Sequence, residues 1–315
     1  MLAYHPGGCA ATRRVPVHLA LRKSAMTAVI EALVEGRTRD LGGFSVRRVL
    51  PSAQRRMVGP FVFVDHMGPV RFAPGTGVAV RPHPHIGLAT VTWLFEGALV
   101  HRDTLGTVQV IEPGALNWMT AGRGIAHSER SRPADLAAGM RFHGMQTWVA
   151  LPRADEEVEP AFIHHPASEL PRVARAGVLL DVIAGAAYGV VSPVRVHSPT
   201  LYVAASLDAG AAIEVEARHE ERAVYVAEGL LDIDGTRLGS GQMAILAAGA
   251  RVELQAIAAT RAMLLGGAPV DGPRHLWWNF VASDPARIER AKRDWREGRF
   301  GLPPDETESI PLPEH

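Results

Sequence analysis

Short apolar segments, interrupted at close spacing by glycine and proline, run along most of the chain. Examples are FSVRRVL, PFVFVDHMG, VTWLFEG, TVQVIEPGAL, MQTWVALP, LYVAASL, RAVYVAEG and RVELQAI. In VTWLFEG, Val91, Trp93 and Phe95 fall on one face, which is the two-residue period of a β-strand. Many short strands separated by turn residues predict an all-β sandwich or barrel and disfavour alternating βαβ units.

Two pairs of these segments resemble each other. VTWLFEG (91–97) is similar to AVYVAEG (223–229), and PGALNWMTAG (113–122) is similar to SGQMAILAAG (240–249). Chance similarity between β-rich segments is the alternative explanation, because each match is short. Two matches in the same order favour a duplicated β module.

The end of the chain predicts a helix. Ser283 is the expected N-cap, Pro285 suits the first turn, and Ile288, Ala291 and Trp295 recur at helical spacing. We expect this apolar stripe to pack on one of the β modules.

Composition adds limits to this picture. At 315 residues, with 47% apolar and 21% charged residues, the chain forms one large or two ordinary globular domains. Lys plus Arg equals Asp plus Glu, 33 each, so we expect no direct nucleic-acid binding and no attraction to an anionic membrane. No apolar run approaches the roughly 20 residues that span a bilayer.

The N-terminus and the cysteine content bear on location. The one cysteine, Cys9, can form neither an internal disulfide nor a cysteine pair for zinc, so we expect a cytoplasmic protein. Residues 1–25 are basic and lack the apolar core of a secretory signal. Because Met26 begins a coherent segment, we expect residues 1–25 to be a disordered leader or the product of a start codon assigned too early; a targeting peptide is the alternative.

Two histidine motifs carry the candidate chemistry. In RPHPHIG, His83 and His85 are one residue apart and share a face if they lie on a strand, and in TAGRGIAHSER, His127 and Glu129 repeat that spacing. Three imidazoles and a carboxylate inside a barrel suit a divalent first-row metal, Fe(II) above all, with Mn, Ni, Cu and Zn as alternatives. A buried histidine is more often hydrogen-bonded in a core, and Glu129 could lie on the surface beside Arg130, but the two motifs together favour a metal site.

The second copy lacks this chemistry. By the offsets of the two matches, the four polar residues correspond to the apolar positions Val215, Ala217, Leu254 and Ala256. We therefore expect the C-terminal module to be filled with apolar side chains.

These motifs resemble a known family. Gly77 followed by the HPH of His83 to His85 is similar to the first cupin motif, and Pro113-Gly114 leading to His127 resembles an expanded second motif. HPHIGLATVTWLFEG, PGALNWMTAGRGIAHSE and DGPRHLWWNFVASDPARIERAKRDW resemble the pirin family of bicupins, over roughly residues 27–315.

The resemblance implies an all-β fold of two tandem cupin domains, which are jelly-roll β-barrels, with a C-terminal α-helix. We expect a metal-binding domain at residues 26–165 and a metal-free domain at 166–315. His83, His85, His127 and Glu129 match the iron ligands of the family. Common cupins place a glutamate just after the HxH motif, where this chain has Ala89 and Thr90, so the carboxylate must come from Glu129.

Two functions of different class follow from the resemblance. One is a quercetin 2,3-dioxygenase, with a flavonol-like aromatic substrate and Glu129 as ligand and general base. The other is an iron-based redox sensor that regulates transcription or metabolism through a protein partner. Several nearby polar residues could line the pocket or support the ligands, or could have ordinary structural roles, and we assign none of them to catalysis: Asp65, His66, His101, Asp103 and His143.

Overall fold

The computed structural model describes residues 29–40 and 43–314, so the expected leader at residues 1–25 lies outside the described residues. Within them the chain is mostly β, with two α-helices, Pro133–Ala138 (α1) and Pro285–Arg296 (α2), and a 3₁₀ turn at Arg153–Asp155. Neither helix has the length and hydrophobicity to cross a bilayer.

Twelve strands occupy the first half of the chain: β1 Ile30–Glu35, β2 Arg37–Asp40, β3 Ser45–Leu50, β4 Phe61–Phe72, β5 Ala79–His85, β6 Leu88–Glu96, β7 Leu99–Asp103, β8 Val108–Ile111, β9 Leu116–Thr120, β10 Ile125–Arg130, β11 Met140–Ala150 and β12 Ala161–His165. The second half contains β13 Arg172–Arg175, β14 Val178–Ala187, β15 Val190–Val191, β16 Thr200–Leu207, β17 Ala212–Val215, β18 Glu221–Glu228, β19 Leu230–Ile233, β20 Thr236–Gly239, β21 Gln242–Leu246, β22 Val252–Ala256, β23 Thr260–Gly267, β24 His275–Trp277 and β25 Phe280–Ala282.

The same strand order occurs twice. The first barrel has a seven-stranded sheet, β12-β9-β6-β11-β4-β3-β2, and a four-stranded sheet, β5-β10-β7-β8. The second barrel has β1-β21-β18-β23-β16-β14-β13, with β15 on β14, and a four-stranded sheet β17-β22-β19-β20. The matched segments lie on β6 and β18, and on β9 and β21, at equivalent places. The predicted duplication is therefore confirmed, as is the fold class of two tandem jelly-roll barrels with a C-terminal helix.

The ends of the chain cross between the barrels. β1 pairs with β21 of the second barrel, while β12 takes the equivalent place on β9 of the first. Helix α2 packs Ile288 and Trp295 into a cluster with Ile86 and Ala126 of the first barrel. Each barrel therefore includes a segment that a simple division at residue 165 assigns to the other, and the exact domain bounds stay a prediction.

The cap of α2 differs from the expectation. Asp284 is the N-cap, and its carboxylate accepts a hydrogen bond from the Ala286 amide at 2.9 Å. Ser283 instead donates from its hydroxyl to Glu156 at 2.8 Å. The expected cap was wrong by one residue because either side chain can fill that role.

Alternation along the strands separates two kinds of core. Val91 and Trp93 of β6 belong to a core between the barrels that also contains Tyr202 and Tyr225 of the second barrel. Thr92, which alternates with them, points into the first barrel, where it contacts Gln146. Fully burying each large apolar side chain stabilises the fold by about 1.5–3 kcal/mol, so the inter-barrel core holds the two barrels together.

The second barrel is filled by apolar side chains, as expected. Val215, Leu254 and Ala256 are at most 2% exposed and belong to one continuous apolar cluster. Ala217 differs, because it lies beyond the end of β17 and is exposed. Three of the four positions that correspond to the histidine motifs thus lie inside this apolar barrel.

Candidate metal centre

Two antiparallel strands bring the predicted histidines together. β5 and β10 pair so that His127 lies directly opposite His83, and Ile125 lies opposite His85. Directly opposite residues of a ladder share a face of the sheet, as do residues two apart on one strand. All three imidazoles therefore share the inner face of the first barrel.

Glycines shape the turns at the ends of these strands. Gly87 follows His85 with φ of +67°, and a Cβ there would lie 2.0 Å from the Val281 carbonyl oxygen. Gly122 precedes β10 with φ of +48°, and a Cβ there would lie 2.0 Å from the Val158 carbonyl oxygen. Only glycine fits both the backbone conformation and the space, so these turns set where the histidines enter the barrel.

The three imidazoles form a compact group. One ring nitrogen from each of His83, His85 and His127 lies within 4.8 Å of the other two, and the Nε2 atoms of His85 and His127 are 3.1 Å apart. His83 is 8% exposed and the other two are 1% exposed. Three converging, shielded nitrogens are the donor set of a transition-metal site.

Burial also favours the ligating protonation state. It lowers the pKa of His83 to about 4 and lowers the pKa of His85 and His127 well below the usual value, and the neighbouring imidazoles add to the effect at His85 and His127. All three rings are therefore neutral at pH 7. A neutral imidazole has the lone pair that a metal needs.

A chain of hydrogen bonds fixes the tautomer of His127. Its Nδ1 lies 3.3 Å from Nδ1 of His101, and Nε2 of His101 lies 2.9 Å from Oδ2 of Asp103. Because His101 donates from Nε2 to the carboxylate, its Nδ1 accepts from His127, which leaves Nε2 of His127 free. Phe162 stacks on the His101 ring, with centroids 4.4 Å apart. His101 and Asp103 thus support His127, a role that the sequence left open.

His83 has a simpler support. Its Nδ1 donates to the Arg81 carbonyl oxygen at 2.8 Å, so the lone pair is on Nε2. Two of the three rings are therefore held in the tautomer that presents Nε2.

Glu129 lies beside the histidine group and is not part of it. A β-bulge after His127 shifts the register, so that Glu129 lies opposite Val80. Its Oε1 accepts a hydrogen bond from the Gln146 amide at 3.2 Å, and Thr92 donates to Oε1 of Gln146 at 2.7 Å, which turns the amide NH₂ toward Glu129. Burial raises the pKa of Glu129. Its role as a metal ligand stays a prediction.

A polar row crosses the seven-stranded sheet at this level. The residues opposite one another on successive strands are Arg48, Asp65, Gln146, Thr92, Asn117 and His164. Arg48 donates from Nε and Nη2 to Asp65 at 2.9 and 2.8 Å, and His164 bonds Asn117 at 2.8 Å. Of this row, only Asp65 was expected from the sequence as a residue that could line the pocket. The available signal was the presence of polar residues within largely apolar strands, but which of them align across the sheet depends on register.

A cavity of about 360 Å³ opens at the histidine group, with His83, His85 and Glu129 in its wall. Phe63 and Trp148 form an aromatic side, stacked with centroids 3.9 Å apart and an interplanar angle of 11°. The C-terminal segment covers part of the cavity with Trp278, Asn279 and Ile310. This volume and this mixture of apolar walls and few polar groups are typical of small-molecule sites.

His66 and His143 lie elsewhere. Their Nε2 atoms are 2.7 Å apart, and Nδ1 of His66 is 2.7 Å from the hydroxyl of Tyr225 in the second barrel. Burial lowers the pKa of His66 to about 3 and that of His143 to about 4. These histidines join the two barrels.

Comparison with known proteins supports this picture. The Pirin family model matches residues 43–149, and the model of the Pirin C-terminal cupin domain matches residues 202–301. A pirin-like protein of Caulobacter vibrioides is 50% identical, covering 91% of this chain and 100% of the relative. A Pseudomonas aeruginosa protein named "Putative quercetin 2,3-dioxygenase" is 44% identical, covering 82% of each.

Solved structures agree. A crystal structure of quercetin 2,3-dioxygenase from Acinetobacter baumannii matches with a TM-score of 0.83 and 35% identity, covering 90% of this chain and 96% of that one. The resemblance found in the sequence motifs is thus confirmed by both family models and by relatives that align over nearly their whole length. The chain belongs to the pirin family.

Proposed function

We propose that this protein is an iron-dependent dioxygenase that opens the central ring of a flavonol such as quercetin and releases carbon monoxide. The observation that carries the proposal is the convergence of three neutral, buried imidazoles, two of which, His83 and His85, lie in the wall of a cavity sized for a small aromatic molecule. Relatives described as quercetin 2,3-dioxygenases support this substrate class.

The ligands would be His83, His85 and His127, with Glu129 completing the set. Three imidazoles and a carboxylate suit Fe(II), with Mn, Ni, Cu and Zn as alternatives. Bound there, the ion would supply Lewis acidity toward the flavonol oxygens and a redox-active position for O₂. His101 supports this role by keeping His127 in the ligating tautomer.

Glu129 would also take the proton of the flavonol hydroxyl. Gln146 holds its Oε1, which leaves Oε2 to bind the metal and, on partial release from the metal, to accept the substrate proton. Burial raises the pKa of Glu129, and a carboxylate with a raised pKa is a better proton acceptor than one in water. Release of the substrate proton to this oxygen would leave the flavonol as the anion that reacts with O₂.

The walls of the cavity would orient the flavonol. Phe63 and Trp148 present stacked rings beside His85, and a planar ligand can pack against their edges. Trp278 and Ile310 cover the cavity from the C-terminal segment, which would limit the access of water to the reacting centre.

The test is anaerobic reconstitution with Fe(II), followed by admission of O₂ with quercetin while carbon monoxide and flavonol absorbance are recorded. We expect iron-dependent carbon monoxide release. We expect Glu129→Gln to lower kcat by about 10²–10⁴-fold. His164→Ala is the matched control, because His164 is a histidine of the same barrel that bonds Asn117 outside the metal group.

Two outcomes would contradict the proposal. Stoichiometric iron without turnover of any flavonol would favour the alternative of a redox sensor that acts through a protein partner. Turnover that persists after iron is removed would exclude iron dependence.

We also propose a cytoplasmic location. The single cysteine and the formal net charge of zero support a protein that works in a reducing compartment on a small molecule.

A further inference from the structure

The cavity has a charged pair that the proposed reaction does not use. Arg48 and Asp65 both line it, and Arg48 donates two hydrogen bonds to the Asp65 carboxylate, at 2.9 and 2.8 Å. The side chain of Arg48 is 31% exposed and that of Asp65 is 5% exposed. An ion pair of this kind stabilises little when it is exposed and is costly when it is buried, so its place in a ligand cavity calls for another explanation.

The register of the sheet places this pair away from the metal ligands. Arg48 lies opposite Asp65, and Asp65 lies opposite Gln146, whose amide donates to Glu129. Neighbouring strands are about 4.8 Å apart, so Arg48 and Gln146 are separated by about 10 Å. A ligand that reaches Glu129 with one group can reach the charged pair with a second ring.

The pair keeps hydrogen-bonding capacity. A guanidinium has five N–H donors and a carboxylate has about four lone-pair sites, and their mutual fork uses two of each. The guanidinium also lies 4.5 Å from the centre of the Phe63 ring, which stacks on Trp148. The Arg48 side chain is therefore held in place, and its remaining donors lie beside remaining acceptors of Asp65.

A donor beside an acceptor selects the chemistry of its ligand. A carboxylate or phosphate would gain from Arg48 but would be repelled by Asp65. A phenolic hydroxyl can accept from the guanidinium and donate to the carboxylate at the same time. A ring without hydroxyls would leave the pair's remaining groups without partners in a partly dry cavity, which is unfavourable.

We infer that Arg48 and Asp65 select substrates with a hydroxylated pendant ring, so that the preferred class is a planar polyphenol with a chelating end and a second, hydroxylated aromatic end. The inference rests on the proposed function, because it assumes that a flavonol occupies this cavity. It adds a specificity-determining pair on β3 and β4, remote from the metal ligands.

The test compares quercetin with galangin, which has the same fused rings and chelating group but no hydroxyl on the pendant ring. Both are titrated anaerobically into the metal-loaded protein, so that binding is measured without turnover. We expect wild type to bind quercetin at least tenfold more tightly, since hydrogen bonds to charged groups contribute that much or more. Asp65→Asn and Arg48→Lys should reduce the preference to less than about threefold and leave the Kd of galangin unchanged.

The matched control is Arg132→Lys. Arg132 makes the same two-pronged contact with Asp135, from Nε at 2.7 Å and from Nη2 at 3.1 Å. Neither residue lines the cavity. This variant should keep the wild-type preference for quercetin.

Several results would overturn the inference. Equal affinity of wild type for the two flavonols would do so while leaving the proposed function intact. So would a parallel loss of both affinities and of bound metal in the Asp65→Asn and Arg48→Lys variants, because that pattern indicates a purely structural pair. If neither flavonol binds the loaded wild type, the proposed function and the inference both fail.

Discussion

The two barrels have the same strand order but differ in the side chains that fill them. In the second, a single cluster of aliphatic side chains runs through the barrel, including Val215 and Leu254. In the first, the apolar residues form two separate clusters, one around Met67 and Leu94 and another around Phe63, Trp148 and Met119. The polar row from Arg48 to His164 and the histidine group lie at the level between them.

This difference shows what architecture alone decides. Both barrels use the same pairing of strands, yet the histidine group lies in the first, so the fold alone does not determine where such a group occurs. Its occurrence depends on which side chains face inward at a few positions. Burying imidazoles, a carboxylate and an amide costs free energy unless they are paired, and here Gln146 donates to Glu129 while His83 and His127 form hydrogen bonds through Nδ1. In the second barrel, the cluster that includes Val215 and Leu254 is apolar and contains no such groups.

Removing one imidazole from the first barrel tests whether the histidine group binds metal, and this substitution has the largest expected effect. His85→Ala would take away one of the three proposed histidine ligands and leave His83 and His127 unable to enclose a cation. We expect complete loss of stoichiometric metal after reconstitution and desalting, measured by elemental analysis. His164→Ala should keep its metal, and retention of full metal by His85→Ala would show that the histidine group is not the site.

Adding an imidazole to the second barrel tests whether its interior tolerates a polar side chain. Leu254→His would bury a polar ring with no partner at a fully buried position, and we expect the free energy of unfolding to fall by about 3 kcal/mol in urea titrations. Leu254→Met conserves volume and should cost less than about 1.5 kcal/mol. Equal stability of the two variants would mean that this barrel accepts polar filling as readily as the first.

The hydrogen bonds from His127 to His101 and Asp103 are expected to raise the metal affinity of the first barrel. His101→Phe keeps a flat ring against Phe162 but removes the acceptor for Nδ1–H of His127. We expect metal affinity to fall about 10–100-fold, which is typical for such outer partners, in competition titrations with a chelator. His101→Gln retains an acceptor, and its metal affinity should lie between those of wild type and His101→Phe. Unchanged metal affinity in His101→Phe would show that the hydrogen bonds behind His127 do not support metal binding.

The junction between the barrels predicts a smaller, pH-dependent effect. Folding lowers the pKa of His66 to about 3 and that of His143 to about 4, from the usual 6.5. As the pH falls below 6.5, these histidines therefore bind protons in the unfolded chain before they do so in the folded protein. The free energy of unfolding decreases until the pH reaches the pKa values of the folded state. Between pH 6.5 and 5.5 we expect wild type to lose about 1–2 kcal/mol more than a variant with glutamine at both positions. The same slope in both proteins would exclude these histidines as the cause.

Much of the fold and part of the site could be predicted from the sequence. Alternation in VTWLFEG and the two repeated segments predicted the duplicated barrels, because a half-buried strand imposes its period on the sequence. The spacing of His83 and His85 predicted that they share a face, since residues two apart on a strand do so, and the second motif at His127 predicted that the two motifs converge on one metal site.

The register of the strands and the crossing of the chain ends between the barrels could not be predicted from the sequence. The matched segments aligned His83 with Val215 and His127 with Leu254, yet in the second barrel Leu254 lies opposite Ile213. A two-residue slip keeps the same face inward, so the apolar pattern does not detect it. The pairing of β1 with the second barrel, and the Arg48–Asp65–Gln146 row, likewise depend on partners distant in sequence.

Anomalous X-ray scattering from crystals of the reconstituted protein would show directly whether the first barrel binds a metal and the second does not. We expect one anomalous peak, about 2.0–2.2 Å from a ring nitrogen of each of His83, His85 and His127, and none inside the barrel around Leu254. A peak in the second barrel, or one that lies away from these three rings, would contradict this expectation.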